Sequence, residues 1–287
     1  MIEVVDLTKS FPISRQQRRE LAAQSAAPTK AGSIAAPDAP PRHGAANLQA
    51  VAGATFRCQP GRVFALLGPN GAGKTTVLRM IATLLRPDGG RISIAGVDAL
   101  ADPVAARRRL GFLTGSTKLY ERLTAEENVR YAADLHGVSA SDFKRRRDAL
   151  FAALGIDAYA GRRAGQLSTG MKQKIAIART IIHDPEVVVF DEATSGLDVI
   201  AARAIIQLIK DCRAQGKTVL FSTHIMSEVT MLADDLAVVH RGRVLAEGRL
   251  DEVLARAVDE HGQRRTLEDE FVRLIDVAEA EHGEVRP

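Results

Sequence analysis

The run Gly68-Pro69-Asn70-Gly71-Ala72-Gly73-Lys74-Thr75 constrains this chain more than any other feature, because it fits GxxxxGK[ST] at every defining position. The apolar segment Val63–Leu67 precedes it, and residues 73–85 carry helical periodicity after it. Strand, glycine-rich loop and helix in that order form a cradle. The glycines let consecutive backbone N–H groups turn inward on a phosphate, and the helix N-terminus adds partial positive charge. On this reading Gly68, Pro69, Asn70, Gly71, Ala72 and Gly73 wrap the β-phosphate and Lys74 reaches the β- and γ-phosphates. The hydroxyl of Thr75 ligates Mg²⁺, with Thr76 beside it. A ligand-free glycine turn is the bland alternative, and the correct strand and helix flanks argue against it.

Residues 187–190 are a second apolar strand, which runs into Asp191 and Glu192. Carboxylates at the C-terminal end of such a strand point into the crevice where parallel sheets bind ligands. Asp191 is the expected second Mg²⁺ partner, and Glu192 the candidate base that polarises an attacking water. A lone Asp-Glu pair after a strand is more often a solvated turn or a helix cap. Its weight here comes from sharing a chain with the glycine-rich loop.

Strands and helices alternate along most of the chain. Strands are expected at 2–7, 51–56, 62–67, 91–94, 187–190, 218–222, 236–240 and 243–246. Helices are expected at 73–85, 124–136, 142–154, 168–182, 198–215, 250–258 and 267–277. Thr124 reads as an N-cap with Glu127 at the capping-box position, and Ser168 caps a later helix. This alternation predicts an α/β fold with a mostly parallel sheet covered on both faces. The consecutive helices between 124 and 182 break it and predict a helical subdomain.

Residues 13–46 differ from the rest, being rich in Ala, Pro, Gln and Arg with few large apolar side chains. Such a segment cannot bury enough surface to offset its ordering entropy, so it reads as a disordered insertion between two hairpin strands, with at most a short helix near 18–24. Its Arg15, Arg18, Arg19 and Arg42 either touch lipid headgroups or nucleic acid or, as is commoner for basic loops, are simply solvated. The 287 residues, 46% hydrophobic and 26% charged, suit one large domain or two small ones. No apolar run approaches the roughly eighteen residues that span a bilayer, and the chain opens on a strand rather than a leader, so it is expected to be cytoplasmic unless a partner holds it at a membrane. Cys58 and Cys212 lie in no metal or redox spacing and read as buried thiols. The net charge of +4 permits anionic nucleotides or an anionic membrane face and selects neither.

Further along, Leu167-Ser168-Thr169-Gly170-Met171 resembles the LSGGQ signature of the ABC ATPases, with Thr169 and Met171 where the pattern has a glycine and the glutamine. Ser195-Gly196-Leu197-Asp198 resembles the D-loop of that family, and Thr223-His224 after a strand resembles its switch histidine. Phe11 sits where the family stacks an aromatic ring on adenine. The resemblance covers the chain outside the insertion. It implies one nucleotide-binding domain over 1–287: a P-loop NTPase (RecA-like) core with an antiparallel β subdomain, a helical subdomain at 115–183 and a C-terminal helical extension at 249–287. It implies ATP and Mg²⁺ as ligands, ATP hydrolysis with Glu192, His224 and Lys74 as catalytic residues, and a homodimer or a heterodimer with a related subunit. In that dimer Ser168 and Gly170, with Asp198, would face the nucleotide of the opposite subunit. It also implies an integral-membrane permease on a separate chain, a place on the cytoplasmic face of the membrane, and no nucleic acid. The runs KLYERLTAEENV, LSTGMKQKIAIARTIIHDPEVVVFDEATSGLD and THIMSEV are similar to ABC-2-type exporter ATPases, and among those resemble the Nat-type sodium-efflux subunits.

Two departures stand out. Gly115 occupies the position of the family's Q-loop glutamine, which removes one expected Mg²⁺ and coupling contact, and Ala193 replaces the usual proline after the catalytic glutamate. The rival reading, a soluble ABC ATPase acting on nucleic acid or the ribosome, would call for a coiled-coil insertion or tandem cassettes. A GTPase would need an NKxD reader, and a non-catalytic ATP sensor fits poorly with Glu192 and His224 both in place. The basic runs 107–109 and 144–147 read as solvated helix faces rather than surfaces for a membrane partner, and His183 as a helix-end residue at the negative pole of a dipole.

Overall fold

Val63–Leu67 (β3), Val187–Asp191 (β7) and Thr218–Thr223 (β8) are buried at every residue, as strands covered on both faces must be. They form the middle of a six-stranded sheet in a computed structural model that describes residues 1–12, 47–114, 118–257 and 265–284. Its order is β10-β9-β3-β8-β7-β6, where β6 is Leu110–Thr114, β9 is Asp235–His240 and β10 is Arg243–Arg249. All pairings are parallel except β9 with β10. Side chains alternate across it. Phe64, Leu66, Val189 and Leu220 join one core, while Val63, Ala65, Val188, Phe190 and Phe221 join the other.

The first core is closed by helix α1 (Lys74–Ile81) and by an antiparallel sheet of order β2-β1-β4-β5. Here β1 is Ile2–Pro12, β2 Asn47–Cys58, β4 Gly89–Ile94 and β5 Val97–Asp98. Strand β1 runs past the expected end at residue 7. Its pairing with β2 is bulged at several points and continues to Pro12 opposite Asn47, so the side-chain alternation lapses while the main-chain ladder goes on. The insertion at 13–46, with its expected short helix, and Gly115 lie outside the described residues.

The second core is covered by α3 (Ala125–Leu135), α4 (Ala140–Leu154), α5 (Thr169–Ile181), α6 (Val199–Ala214) and α7 (Met226–Leu232). The capping box at the start of α3 is complete. Glu127 N donates to Thr124 Oγ1 at 3.1 Å, and Thr124 N donates to Glu127 Oε2 at 2.7 Å. Helix α1 stops four residues short of expectation, because Thr83 turns left-handed with φ 57°. Helix α2 (Pro103–Arg108) and α7 were not foreseen, being too short to show a period, although Asp102 and Pro103 are a proper N-cap and first-turn proline. At the C-terminal end, α8 (Leu250–Arg256) and α9 (Leu267–Glu284) return to the core, with Leu267 and Phe271 buried. No helix among the described residues is long and apolar enough to cross a membrane.

One surface expectation is corrected in part, since Lys144 and Arg145 are exposed but Arg146 and Arg147 are not. In the basic run at 144–147, Arg146 donates to Ile182 O at 3.2 Å, while Arg147 pairs with Glu126 at 2.8 Å and lies over the Phe151 ring, so these residues tie α4 to α3 and to the end of α5. His183 follows directly after the end of α5, as expected of a helix-end residue. It stacks on His136 with ring centroids 3.8 Å apart, and burial depresses its pKa to about 4.

Candidate active site

The loop after β3 keeps its shape through close main-chain contacts. Gly71 and Gly73 hold φ of 81° and 103°, a region that side chains resist. A Cβ on Gly68 would fall 2.3 Å from Val239 O, and one on Gly73 2.4 Å from Ala50 O. Gly242 N, in the tight turn between β9 and β10, donates to Ala72 O at 2.8 Å, and Ala52 N donates to Gly242 O at 2.8 Å. The loop is thereby pinned between β2 and the β9–β10 hairpin. Gly73 caps α1 with main chain alone, leaving that N-terminus free of any side-chain cap, as an anion site requires.

A cleft of about 700 Å³ opens over this loop. Asn70, Gly71, Ala72, Gly73, Lys74, Thr75 and Thr76 line its floor, Phe11 and Leu48 one wall, and Glu192 and Arg241 other parts of the rim. Lys74 is only 4% exposed, and its ammonium donates to Gly68 O at 2.7 Å and Pro69 O at 3.1 Å. Burial lowers its pKa, and the carboxylates of Glu192 and Asp191 oppose that shift. A phosphate beside Lys74 would add to the negative charge that Glu192 already brings near this buried cation.

Thr75 Oγ1 donates to Asp191 Oδ1 at 3.2 Å, and Ser222 Oγ donates to the same oxygen at 2.7 Å. A hydroxyl and a buried carboxylate thus meet at the mouth of the loop, an all-oxygen donor pair that fits Mg²⁺. Glu192 sits in the left-handed region at φ 50°, its N–H donating to Ser222. That turn sends its carboxylate back toward the loop, with Oε1 3.7 Å from Lys74 Nζ and 3.4 Å from His224 Nδ1. The loop bearing His224 is itself fixed, since Thr223 Oγ1 donates to Glu228 Oε2 at 2.6 Å and accepts from Ile225 N at 3.0 Å.

Not every expected residue joins the cleft. Ser168, Gly170 and Asp198 are absent from its lining and form a second cluster. Ser168 Oγ accepts from Met171 N at 3.3 Å as the cap of α5, and Asp198 Oδ1 accepts from Ala201 N at 2.8 Å as the cap of α6. A Cβ on Gly170 would lie 3.7 Å from Asp198 Oδ2, so the two helix starts abut. Beside them Val199 is 83% exposed. Sequence reading missed Ser222, Gln173 and the Arg241-Gly242 turn. Only the turn left a signal, two residues between two apolar runs, and nothing in it says that the hairpin tip abuts the glycine loop.

A braced glycine loop, a buried lysine, a Thr–Asp pair and a glutamate–histidine pair at the same strand ends define a P-loop cassette that binds and hydrolyses ATP. The chain belongs to the ABC transporter family of transport ATPases, whose description matches residues 51–195. It is 42% identical over 205 residues to the ABC transporter ATP-binding protein NatA of Bacillus subtilis, covering 71% of this chain and 83% of that one. Among solved structures, an ATP-binding subunit of an ABC transporter aligns with TM-score 0.77 and 29% identity over 96% of this chain and 99% of its own. The dimeric post-hydrolysis state of the ATP-binding cassette MJ0796, bound to ADP and Pi, aligns with TM-score 0.70 over 87% of this chain and 99% of its own. At 23% identity that likeness speaks for the fold.

Proposed function

We propose that the chain dimerises around two MgATP and drives a separate membrane permease in export. The observation that carries this is the separation of the two clusters. Lys74, Thr75 and Glu192 line the cleft, with Asp191 bonded to Thr75 and His224 3.4 Å from Glu192, while the exposed start of α5 with Ser168 and Gly170 takes no part in it. A second copy can present that helix end, where the Ser168 side chain caps Met171 N, to the nucleotide of the first, and the exposed Val199 beside it gives the contact an apolar surface. The cassette MJ0796, whose fold this chain shares, is itself described as dimeric.

In this reading Thr75 and Asp191 would hold Mg²⁺, which would supply charge neutralisation to the phosphates. Lys74 leaves the carbonyls of Gly68 and Pro69 for the phosphates. Glu192 accepts the proton of the attacking water, and His224 keeps that carboxylate oriented. Charge stabilisation by fixed groups carries most of the rate. The similarity to NatA, together with the Nat-type pattern of the sequence, makes sodium the first cargo to test.

The test is purification of this chain from solubilised membranes with any polytopic membrane protein bound to it, reconstitution of that complex into vesicles, and ATP-driven sodium flux. Flux that needs ATP and is abolished by Lys74→Ala is the expected result. A complex that hydrolyses ATP without moving sodium would remove the cargo assignment and leave the ATPase; absence of any membrane complex would remove the transport reading.

A further inference from the structure

The β9–β10 turn consists of Arg241, with φ 46°, and Gly242, with φ 77°. Gly242 cannot shift. A Cβ there would meet Ala50 O at 2.6 Å, its N–H donates to Ala72 O, and its Cα lies within 3.4 Å of a Cβ placed on Gly73. The backbone of Arg241 is therefore fixed beside the phosphate loop, and the residue lines the cleft with Thr75 and Thr76. Its ion-pair partner among the described residues is Glu279 of α9, whose Oε1 accepts from Nη2 at 3.1 Å. The same oxygen lies 3.4 Å from His240 Nε2. A C-terminal helix thus reaches across to hold a cleft-lining arginine.

We propose that Arg241 is a nucleotide-contacting residue held in reserve by the C-terminal helix, pairing with Glu279 in the unliganded protein and with the phosphate chain of ATP once it binds. The inference rests on the assignment of the cleft to ATP. Arg241 and Glu279 are both well exposed, at 61% and 48% of the side chain, and a pair so open to water is weak and exchangeable. A polyphosphate in a cleft bordered by buried groups is the stronger partner, because it carries more charge, accepts guanidinium bidentately and is less screened. Glu279 competes with the ligand for one cation. Nucleotide binding then releases the end of α9 beyond Ile275, the helix being anchored by the buried Leu267 and Phe271 and the partly buried Leu274 and Ile275. Nucleotide occupancy is read out as the mobility of the last turns of α9, on the surface of the subunit.

The experiment is equilibrium binding of a fluorescent ATP analogue with Mg²⁺ to the purified full chain and its variants. Arg241→Ala is expected to weaken binding by roughly 5- to 20-fold, the loss of one charge-assisted contact. Glu279→Gln is expected to tighten it by roughly 2- to 5-fold, by freeing Arg241. The double variant should match Arg241→Ala, because Glu279 acts only through that side chain. Hydrogen exchange at 276–284 should quicken with ATP in the native chain and not in Arg241→Ala. Melting temperatures within a few degrees of the native chain show that the variants fold. The proposal fails if Arg241→Ala binds within about 2-fold of the native chain while Lys74→Ala is impaired, or if Glu279→Gln weakens binding. Normal binding by Lys74→Ala would instead overturn the assignment of the cleft.

Discussion

Gln173, one turn into α5, donates through Nε2 to the main-chain oxygen of Ala193 at 3.1 Å. This bond ties the helix that starts at Ser168 to the residue directly after Glu192. Gln173 thus couples α5 to the segment that carries the cleft carboxylate. Gln173→Leu keeps the bulk and removes the donor, leaving Ala193 O without that partner. Turnover at saturating ATP should fall roughly 3- to 10-fold, the effect of about one hydrogen bond, while ATP affinity stays within 2-fold. A variant that weakened binding and left turnover intact would show that the bond merely shapes the cleft.

Glu192→Gln should bind ATP and nearly stop hydrolysing it, by roughly 100-fold or more, because an amide can hydrogen-bond to water but cannot take its proton. With hydrolysis blocked, the dimer should persist in ATP and appear by size-exclusion. Near-native turnover in this variant would remove Glu192 from the role its 3.4 Å contact with His224 suggests.

Gly242→Ala tests the bracing of the phosphate loop. The added methyl would meet Ala50 O at 2.6 Å and take a left-handed φ of 77°, and strain of this kind costs about 1–3 kcal/mol. Because Gly242 also holds Ala72 O, the loop should shift with it. ATP affinity should drop together with the melting temperature; a drop in neither would mean that the hairpin tip yields freely.

The contrast between Lys74 and Gly242 shows what the sequence made legible. The phosphate loop is a contiguous run whose glycines, lysine and threonine each answer to a local chemical need, and the capping box at Thr124 is equally local. Gly242 acts on Ala72 across a long stretch of chain, and the strand order β10-β9-β3-β8-β7-β6 is likewise set by crossovers that leave no local mark. Phe11 shows the intermediate case. Its place on a strand was hidden because Thr8, Lys9 and Ser10 break the alternation, whereas the bulged ladder to β2 puts it opposite Leu48 on the cleft wall. Since that ladder still closes Pro12 against Asn47, replacing residues 14–45 with a short Gly-Ser turn should preserve folding and leave the ATPase rate within about 3-fold. Loss of folding would show that the segment packs against the domain.

The stacked pair of His136 and His183 predicts a specific loss of stability in acid. His183 Nε2 lies 3.3 Å from Leu110 O, so this nitrogen carries the proton and donates, while Nδ1 finds no hydrogen-bond partner among the described residues. Burial chiefly, and then the neighbouring His136, with Arg146 and Lys217 farther down, disfavours the charged ring and lowers the pKa to about 4; the Leu110 carbonyl alone pulls the other way. In the unfolded chain the ring titrates near 6.5. Between these values the unfolded state binds a proton that the folded state refuses, so stability rises with pH across the window. The contribution is complete above about pH 6.5 and disappears as pH falls toward 4, reaching a loss of about 2 kcal/mol near pH 5. His183→Gln keeps a donor for Leu110 O and cannot titrate. Urea midpoints at pH 7 and pH 5 should therefore fall further for the native protein than for the variant. The same drop in both would mean that the ring escapes to water before it is charged, and that another group sets the acid limit.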